Sequence, residues 1–182
     1  MPRKPRSDTA ETVHHVTTLG NRDERIFRDA DDRNRFLQQL GKVVALYEWS
    51  CQGYCLMDTH FHLILYTPES NLSRGMQHLC GPYAQWFNWK YERNGHLFGR
   101  RFSSSDISRD EHLFAAHRYI ALNPVHAGLC DDPARWRWGS FRALCGLEPP
   151  AEFLEVAPVL ELFGESPDEA RVRYRRFVTA GV

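Results

Sequence analysis

The spacing of apolar positions divides the chain into short alternating runs and longer helical ones. "TVHHVTTLG" (12–20) alternates as a half-buried strand does and closes at Gly20. "NRDERIFRD" reads as a loop. Acidic residues from Asp29 to Asp32 suit a helix N-terminus. Phe36, Leu37, Leu40, Val43, Val44 and Tyr47 then keep helical spacing to about Trp49. "SCQGYCLM" and "HFHLILYT" read as two strands with so short a link, Asp58-Thr59, that they form a hairpin.

Asn71 is an expected N-cap for the next helix. Leu72, Met76, Leu79, Tyr83, Trp86 and Phe87 share one of its stripes, which runs to about Arg93. "NGHLFGRRFSSSDI" reads as a Gly-, Arg- and Ser-rich arm. "RDEHLFAAHRYIALNP" is a third helix, expected to stop at Pro124. The basic start "MPRKPRSD" is expected to be disordered, and the tail to be helical from Pro167 to Ala180. This order predicts an α+β sandwich, most simply an antiparallel sheet with helices on one side.

The 182 residues suit one domain with a short appendage. No apolar run is long enough to span a bilayer, so a cytoplasmic protein without a membrane partner is expected. The cysteines, Cys51, Cys55, Cys80, Cys130 and Cys145, are odd in number and scattered, which argues against a disulfide framework. Net charge is zero, yet residues 71–142 carry ten Lys/Arg against six Asp/Glu, and residues 147–182 carry four Arg against seven. A neutral total can therefore hide a basic face, or simply an ordinary solvated one.

Two histidines change this picture. In a strand His60 and His62 point the same way, roughly 6.6 Å apart along the chain, within reach of one metal ion. Phe61, Leu63 and Leu65 take the opposite face. The pair is either a metal platform or two half-exposed histidines on a solvated face. The doublet His14-His15 splits between faces and is the weaker signal.

On the third helix, Leu113, Phe114, His117, Ile120 and Ala121 form an apolar stripe, and Tyr119 lies roughly 150° from its centre. Asn123 sits one turn above Tyr119. Either the two offer a phenol and an amide to one external object, or Tyr119 packs on another element and Asn123 merely ends the helix.

"CLMDTHFHLIL", "NLSRGMQHLCGPYAQWFN", "GHLFGRRF" and "RYIALNPVHAGL" follow one another at a telling spacing. In these motifs the chain resembles the IS200-like single-tyrosine transposases, and within them the REP-associated tyrosine transposases, from about Val13 to Leu144. The resemblance implies the HUH endonuclease fold, a ferredoxin-like antiparallel sheet sandwiched with helices. It implies a transposase domain over 1–146 and a partly helical extension over 147–182. His60 and His62 become expected metal ligands, Tyr119 the nucleophile and Asn123 the third ligand. The implied cofactor is a divalent ion, Mg²⁺ or Mn²⁺, and the implied partner is single-stranded or hairpin DNA at palindromic repeats. A monomer or a homodimer, associated with the nucleoid, fits equally.

DNA contacts are then expected from Lys90, Arg100 and Arg101 through phosphates, and from Phe98, with Trp89 and Phe102, by base stacking. Trp86 reads better as core. The basic-aromatic run "RWRW", with Arg135 and Arg137, is open between stacking on DNA and plain packing. Three positions depart from the family pattern. Asp58-Thr59 replaces Pro-Asn before the histidine pair, which alters the turn or brings a carboxylate to the metal. Gly99-Arg100 interrupts a usual "QGRF", and Ala121 stands where histidine is usual. Two other functions remain open: a hairpin binder of altered catalysis, and an HUH nicking enzyme of the replication-initiator type.

Overall fold

The computed structural model describes residues 9–180; the basic, proline-rich start lies outside them. Strand β1 (Thr12–Leu19) is followed by helix α1 (Ala30–Tyr47), strands β2 (Ser50–Leu56) and β3 (His60–Thr67), and helix α2 (Leu72–Lys90). Strand β4 (Ser103–Ile107) precedes helix α3 (Asp110–His126). Three shorter α-helices follow among the described residues: α4 (Phe141–Leu144), α5 (Ala157–Glu161) and α6 (Pro167–Thr179). The strands form one antiparallel sheet in the order β2-β3-β1-β4. With α1 and α2 as crossovers this is the ferredoxin-like arrangement.

Helix α1 starts where the acidic residues lead. The Asp29 side chain accepts from the Asp32 amide at 2.9 Å, and the Asp32 carboxylate accepts from the Asp29 amide in return. That reciprocal cap satisfies two donors the helix would otherwise leave free. Phe36, Leu40 and Val43 of α1 join Met76, Leu79, Tyr83 and Phe87 of α2 over Phe61, Leu63 and Leu65 of β3. All are buried, and they make the main core. The segment read as a loop before α1 anchors this core too, because Ile26 and Phe27 are fully buried. Their amides donate to the carbonyl of Asp58.

Helix α3 covers the opposite face of the sheet. Ala116 and Ile120 pack on Cys55, Met57 and Ile64. The expected sandwich of sheet and helices is thus present, with helices on both faces and not on one as the simplest layer solution had it. Gly53 permits the close approach, since a Cβ there would sit 3.0 Å from Ile120 Cδ1 and 3.2 Å from His117 Cε1.

Three further expectations need correction. The Ser-rich arm contains β4, an edge strand on β1 whose mostly exposed polar side chains hide the period-2 signal. Asn71 sits at the N-cap of α2, but its side chain does not cap; it accepts from the Trp49 indole at 2.6 Å. Pro124 does not stop α3, which continues to His126. Proline removes one backbone donor, and burial of Leu122 and Pro124 holds the turn in place. That extra turn keeps Asn123 in helical register above Tyr119.

Gly75 faces the Trp49 ring so closely that any Cβ would overlap it. Trp49 is pinned by Asn71 and cannot swing aside. Gly75→Ala is therefore expected to lower stability by about 1–3 kcal/mol, read as a shift in the urea midpoint.

After Leu147 the chain packs back on α3. Val159, Leu160, Phe163, Tyr174 and Val178 share a cluster with Ala121, Leu122, Phe141 and Leu144. Arg118 of α3 donates to the Phe177 carbonyl at 2.8 Å and lies over the Phe177 ring. All five cysteines are free.

Candidate active site

Alternation along β3 sends His60, His62 and Ile64 to the face covered by α3. Antiparallel register sets Thr17 of β1 opposite His62 and His15 opposite Ile64, on that same face. Helical spacing brings Tyr119 and Asn123 down over them. The His60 and His62 rings lie 5.0 Å apart and nearly perpendicular. Asn123 spans them: its Oδ1 is 3.3 Å from His60 Nε2 and its Nδ2 is 3.4 Å from His62 Nε2. The Tyr119 ring stands 5.3 Å from the His62 ring at 90°, with 48% of the residue exposed. The four side chains thus meet within one chain.

Second partners hold both imidazoles. The Thr59 hydroxyl is 3.1 Å from His60 Nδ1. The Thr17 hydroxyl and His15 Nε2 are each 3.1 Å from His62 Nδ1. His15 also stacks on His62 at 5.3 Å and meets the Tyr119 ring edge-on at 5.9 Å. The doublet His14-His15, the weaker signal in the sequence, thus supplies one member of the site. The available signal was that one member of a doublet on the neighbouring strand has to share the face of the pair.

Burial, with the neighbouring His60 and His15, pushes the His62 imidazole down to about 3. Burial lowers His15 too, and lowers His60 against the opposing effect of Asn123. All three are neutral at pH 7, with ring lone pairs available, as metal ligation requires. Two ligands bound to one ion at ~2.1 Å lie ~3.0 Å apart in an octahedral shell and ~3.4 Å apart in a tetrahedral one. The 3.3 Å between Asn123 Oδ1 and His60 Nε2 falls in that range, and two imidazoles with an amide oxygen are a donor set a divalent ion accepts; the Asn123 Nδ2 that faces His62 Nε2 is a donor to it and not a ligand. The carboxylate brought by Asp58 takes no part, since Arg33 and Arg25 hold it.

A second cluster, Asp29, Asp31 and Asp32, has carboxylates close enough to share an ion. Lys90 Nζ fills it instead, at 3.0, 3.0 and 2.7 Å from the three. That placement also corrects the expectation that Lys90 reaches phosphate, because its charge is spent on carboxylates. Phe98 is half-buried against the main core beside Phe61 and Tyr83, and Phe102 is buried, yet both line the cleft that also holds Arg100 and Arg101. Trp86 is core as expected, whereas Trp89 is 78% exposed.

Arg100 and Arg101 are exposed. With Gln77, Gln85 and Asn88 they line a cleft of about 890 Å³ between α2 and residues 95–102. No acidic residue lines it among the described residues. Arg135 pairs with Asp131, and Arg137 lies over Trp138. In "RWRW" the rings of Trp136 and Trp138 lie 5.9 and 5.4 Å from the buried Arg33 guanidinium, so both tryptophans serve packing. No described helix is long and apolar enough to cross a membrane.

Comparison with a solved structure agrees with this fold. A solved REP-associated tyrosine transposase bound to a REP hairpin superimposes with a TM-score of 0.67 at 18% identity, covering 85% of this chain and 94% of that one. A Deinococcus radiodurans R1 protein described as a candidate transposase aligns at a TM-score of 0.46 and 14% identity, over 62% of this chain and 91% of its own. None of the curated proteins compared matches the chain. The family model for IS200-like transposases matches residues 9–123, and on that match the chain belongs to the IS200-like transposase family.

Proposed function

We propose that this transposase cuts and rejoins single-stranded DNA at hairpin-forming repeats through a 5′-phosphotyrosine intermediate. The observation that carries the reading is the convergence of the Tyr119 ring with His60, His62 and Asn123 in one chain. His60 Nε2, His62 Nε2 and Asn123 Oδ1 would hold a divalent ion. Their mixture of nitrogen and oxygen donors suits Mn²⁺ at least as well as Mg²⁺. Such an ion, when bound, polarises a phosphate oxygen and offsets charge building on phosphorus.

The Tyr119 oxygen attacks the phosphorus, forming the Tyr–O–P bond as the P–O3′ bond breaks. The phenolic proton ends on the departing 3′-oxygen. The linkage is conserved, so a second 3′-hydroxyl can reverse the step without ATP. Half exposure leaves the phenol open to a strand, while the imidazoles beneath stay largely dry. The meeting of Tyr119 with the imidazoles of its own chain supports action in cis. Residues 1–146 form the catalytic unit in this reading, and residues 147–182 are an extension that braces α3. The setting is the cytoplasm, on chromosomal DNA.

The test is incubation of the protein with a labelled single-stranded hairpin and Mn²⁺, followed by a denaturing gel. A covalent protein–DNA band is expected, and its loss on chelation. Hairpin binding without any band, at saturating protein and metal, overturns the enzyme in favour of a binder.

Arg100 and Arg101 make no ion pair among the described residues and border a cleft free of acidic side chains. Their guanidiniums are the phosphate contacts this surface offers. Hairpin affinity is expected to fall steeply with salt, and each Arg→Ala substitution to lower the slope of log K against log [salt] by about one. Fold stability should change by less than about 0.5 kcal/mol. A wild-type slope near zero, read by fluorescence anisotropy, would remove phosphate contact from the reading.

A further inference from the structure

We propose that His15 is a positioning residue that fixes the His62 imidazole with Nε2 free to face Asn123, and so sets the metal affinity of the site. The inference rests on the metal reading above. A neutral imidazole carries one proton, and its Nε2 can serve as a ligand only when that proton sits on Nδ1. On His62, Nδ1 faces two groups from β1, His15 Nε2 and the Thr17 hydroxyl, each at 3.1 Å. A hydroxyl alone does not choose the tautomer, because it can donate or accept. An imidazole by itself does not choose either; Asn123 Nδ2, which carries hydrogens and no lone pair, stands 3.4 Å from His62 Nε2 and requires that nitrogen to accept, so the His62 proton sits on Nδ1 and His15 Nε2 receives it. His15 then carries its own proton on Nδ1.

The placement reinforces the choice. The His15 ring stacks on His62 at 5.3 Å and an interplanar angle of 27°, which limits rotation of His62 about its ring axis. Its edge contact with Tyr119, at 5.9 Å, sets both rings of the proposed reaction against one imidazole. His60 is held more simply at its Nδ1, by Thr59 alone among the described residues. The two ligands therefore differ in how firmly each is oriented, and His62 is the one with a dedicated partner. His15 is itself kept in register by strand pairing with Ile64 on one side and Ser105 on the other.

The test compares His15→Phe, which keeps a stacking ring and removes the acceptor, with His15→Gln, whose amide oxygen can accept from His62 Nδ1. Mn²⁺ affinity is measured by calorimetry without DNA, and the His62 tautomer by ring ¹⁵N chemical shifts. His15→Phe is expected to weaken Mn²⁺ binding about ten-fold or more, the usual cost of losing an outer partner of a ligand, and to mix the His62 tautomers. His15→Gln should recover most of the affinity and a single tautomer. Unchanged Mn²⁺ affinity in His15→Phe, or equal loss in both variants at unchanged melting temperature, overturns the proposal. His62→Ala separates the two readings: if it too leaves Mn²⁺ affinity intact, the metal site itself is wrong, whereas a loss confined to His62→Ala rejects His15 alone.

Discussion

Tyr119→Phe is expected to abolish the covalent protein–DNA band while hairpin binding stays close to wild type. The substitution removes one oxygen from a residue that is 48% exposed. The ring that remains keeps its edge contacts with His62 and His15, so the fold should lose no more than about 0.5 kcal/mol. Cleavage should fall by ~10³-fold or more, the scale seen when a covalent nucleophile is deleted. His60→Ala should also lose the band but for a different reason, since the phenol stays in place and the metal donors do not. Adding Mn²⁺ in excess should restore part of the activity of His60→Ala and none of Tyr119→Phe. A covalent band from Tyr119→Phe would mean another residue attacks, and the phosphotyrosine reading would fail.

How far this site could be read from the sequence depends on the range of the interactions involved. His60 and His62 are two residues apart, and Tyr119 and Asn123 are four apart, so strand and helix geometry placed each pair on one face without knowledge of the fold. What joined the pairs was the sandwich. The sheet has helices on both sides, so the face of β3 carrying the histidines is covered by α3 and not by water. Composition does not encode that choice of side; it is made by packing, with Gly53 clearing the way for Ile120 and His117.

The expectations that needed correction share a cause. β4 has almost no apolar alternation because it is a mostly exposed edge, and its pairing with β1 is non-local. Pro124 and Asn71 were read by local preference, which tertiary contacts outweighed: buried neighbours in one case and the Trp49 indole in the other. Lys90 looked like a phosphate contact until the cap of α1 folded three carboxylates around it. Phe98 and Phe102 sit in an arm whose glycines and arginines suggest an open surface, yet Phe102 is buried and Phe98 half-buried against the core at the floor of the cleft. The hydrophobic term decides such cases, because burying a phenylalanine contributes roughly 1.5–3 kcal/mol, comparable to one base stack.

Lowering the pH from 7.5 to 4.5 is expected to destabilise the fold steeply, and His117→Leu should remove a definite share of that loss. His117 is fully buried on α3, between Gly53 of β2 and the Tyr174 ring of α6. Neither of its ring nitrogens has a partner among the described residues. Among the described residues no carboxylate stands by to stabilise a charge, and burial pushes the imidazole down from 6.5 to about 3. The folded chain therefore resists a proton that the unfolded chain takes up below about pH 6.5. Between those values the unfolded state binds more protons, so stability rises with pH and is lost as pH falls. One such group costs about 1.4 kcal/mol per pH unit, several kcal/mol by the bottom of the window. A domain with about 5–15 kcal/mol in hand feels that strongly. Leucine at 117 fills similar space, leaves no unpartnered nitrogen and takes no proton. The variant should match or exceed wild type at pH 7.5, and its plot of unfolding free energy against pH should be shallower by about one proton below pH 6. Other histidines with lowered values, His62 among them, keep the remaining slope above zero. Urea melts across the pH series read this directly, and parallel slopes for the two proteins would mean that water reaches the His117 ring and that α3 is not sealed against β2 and α6.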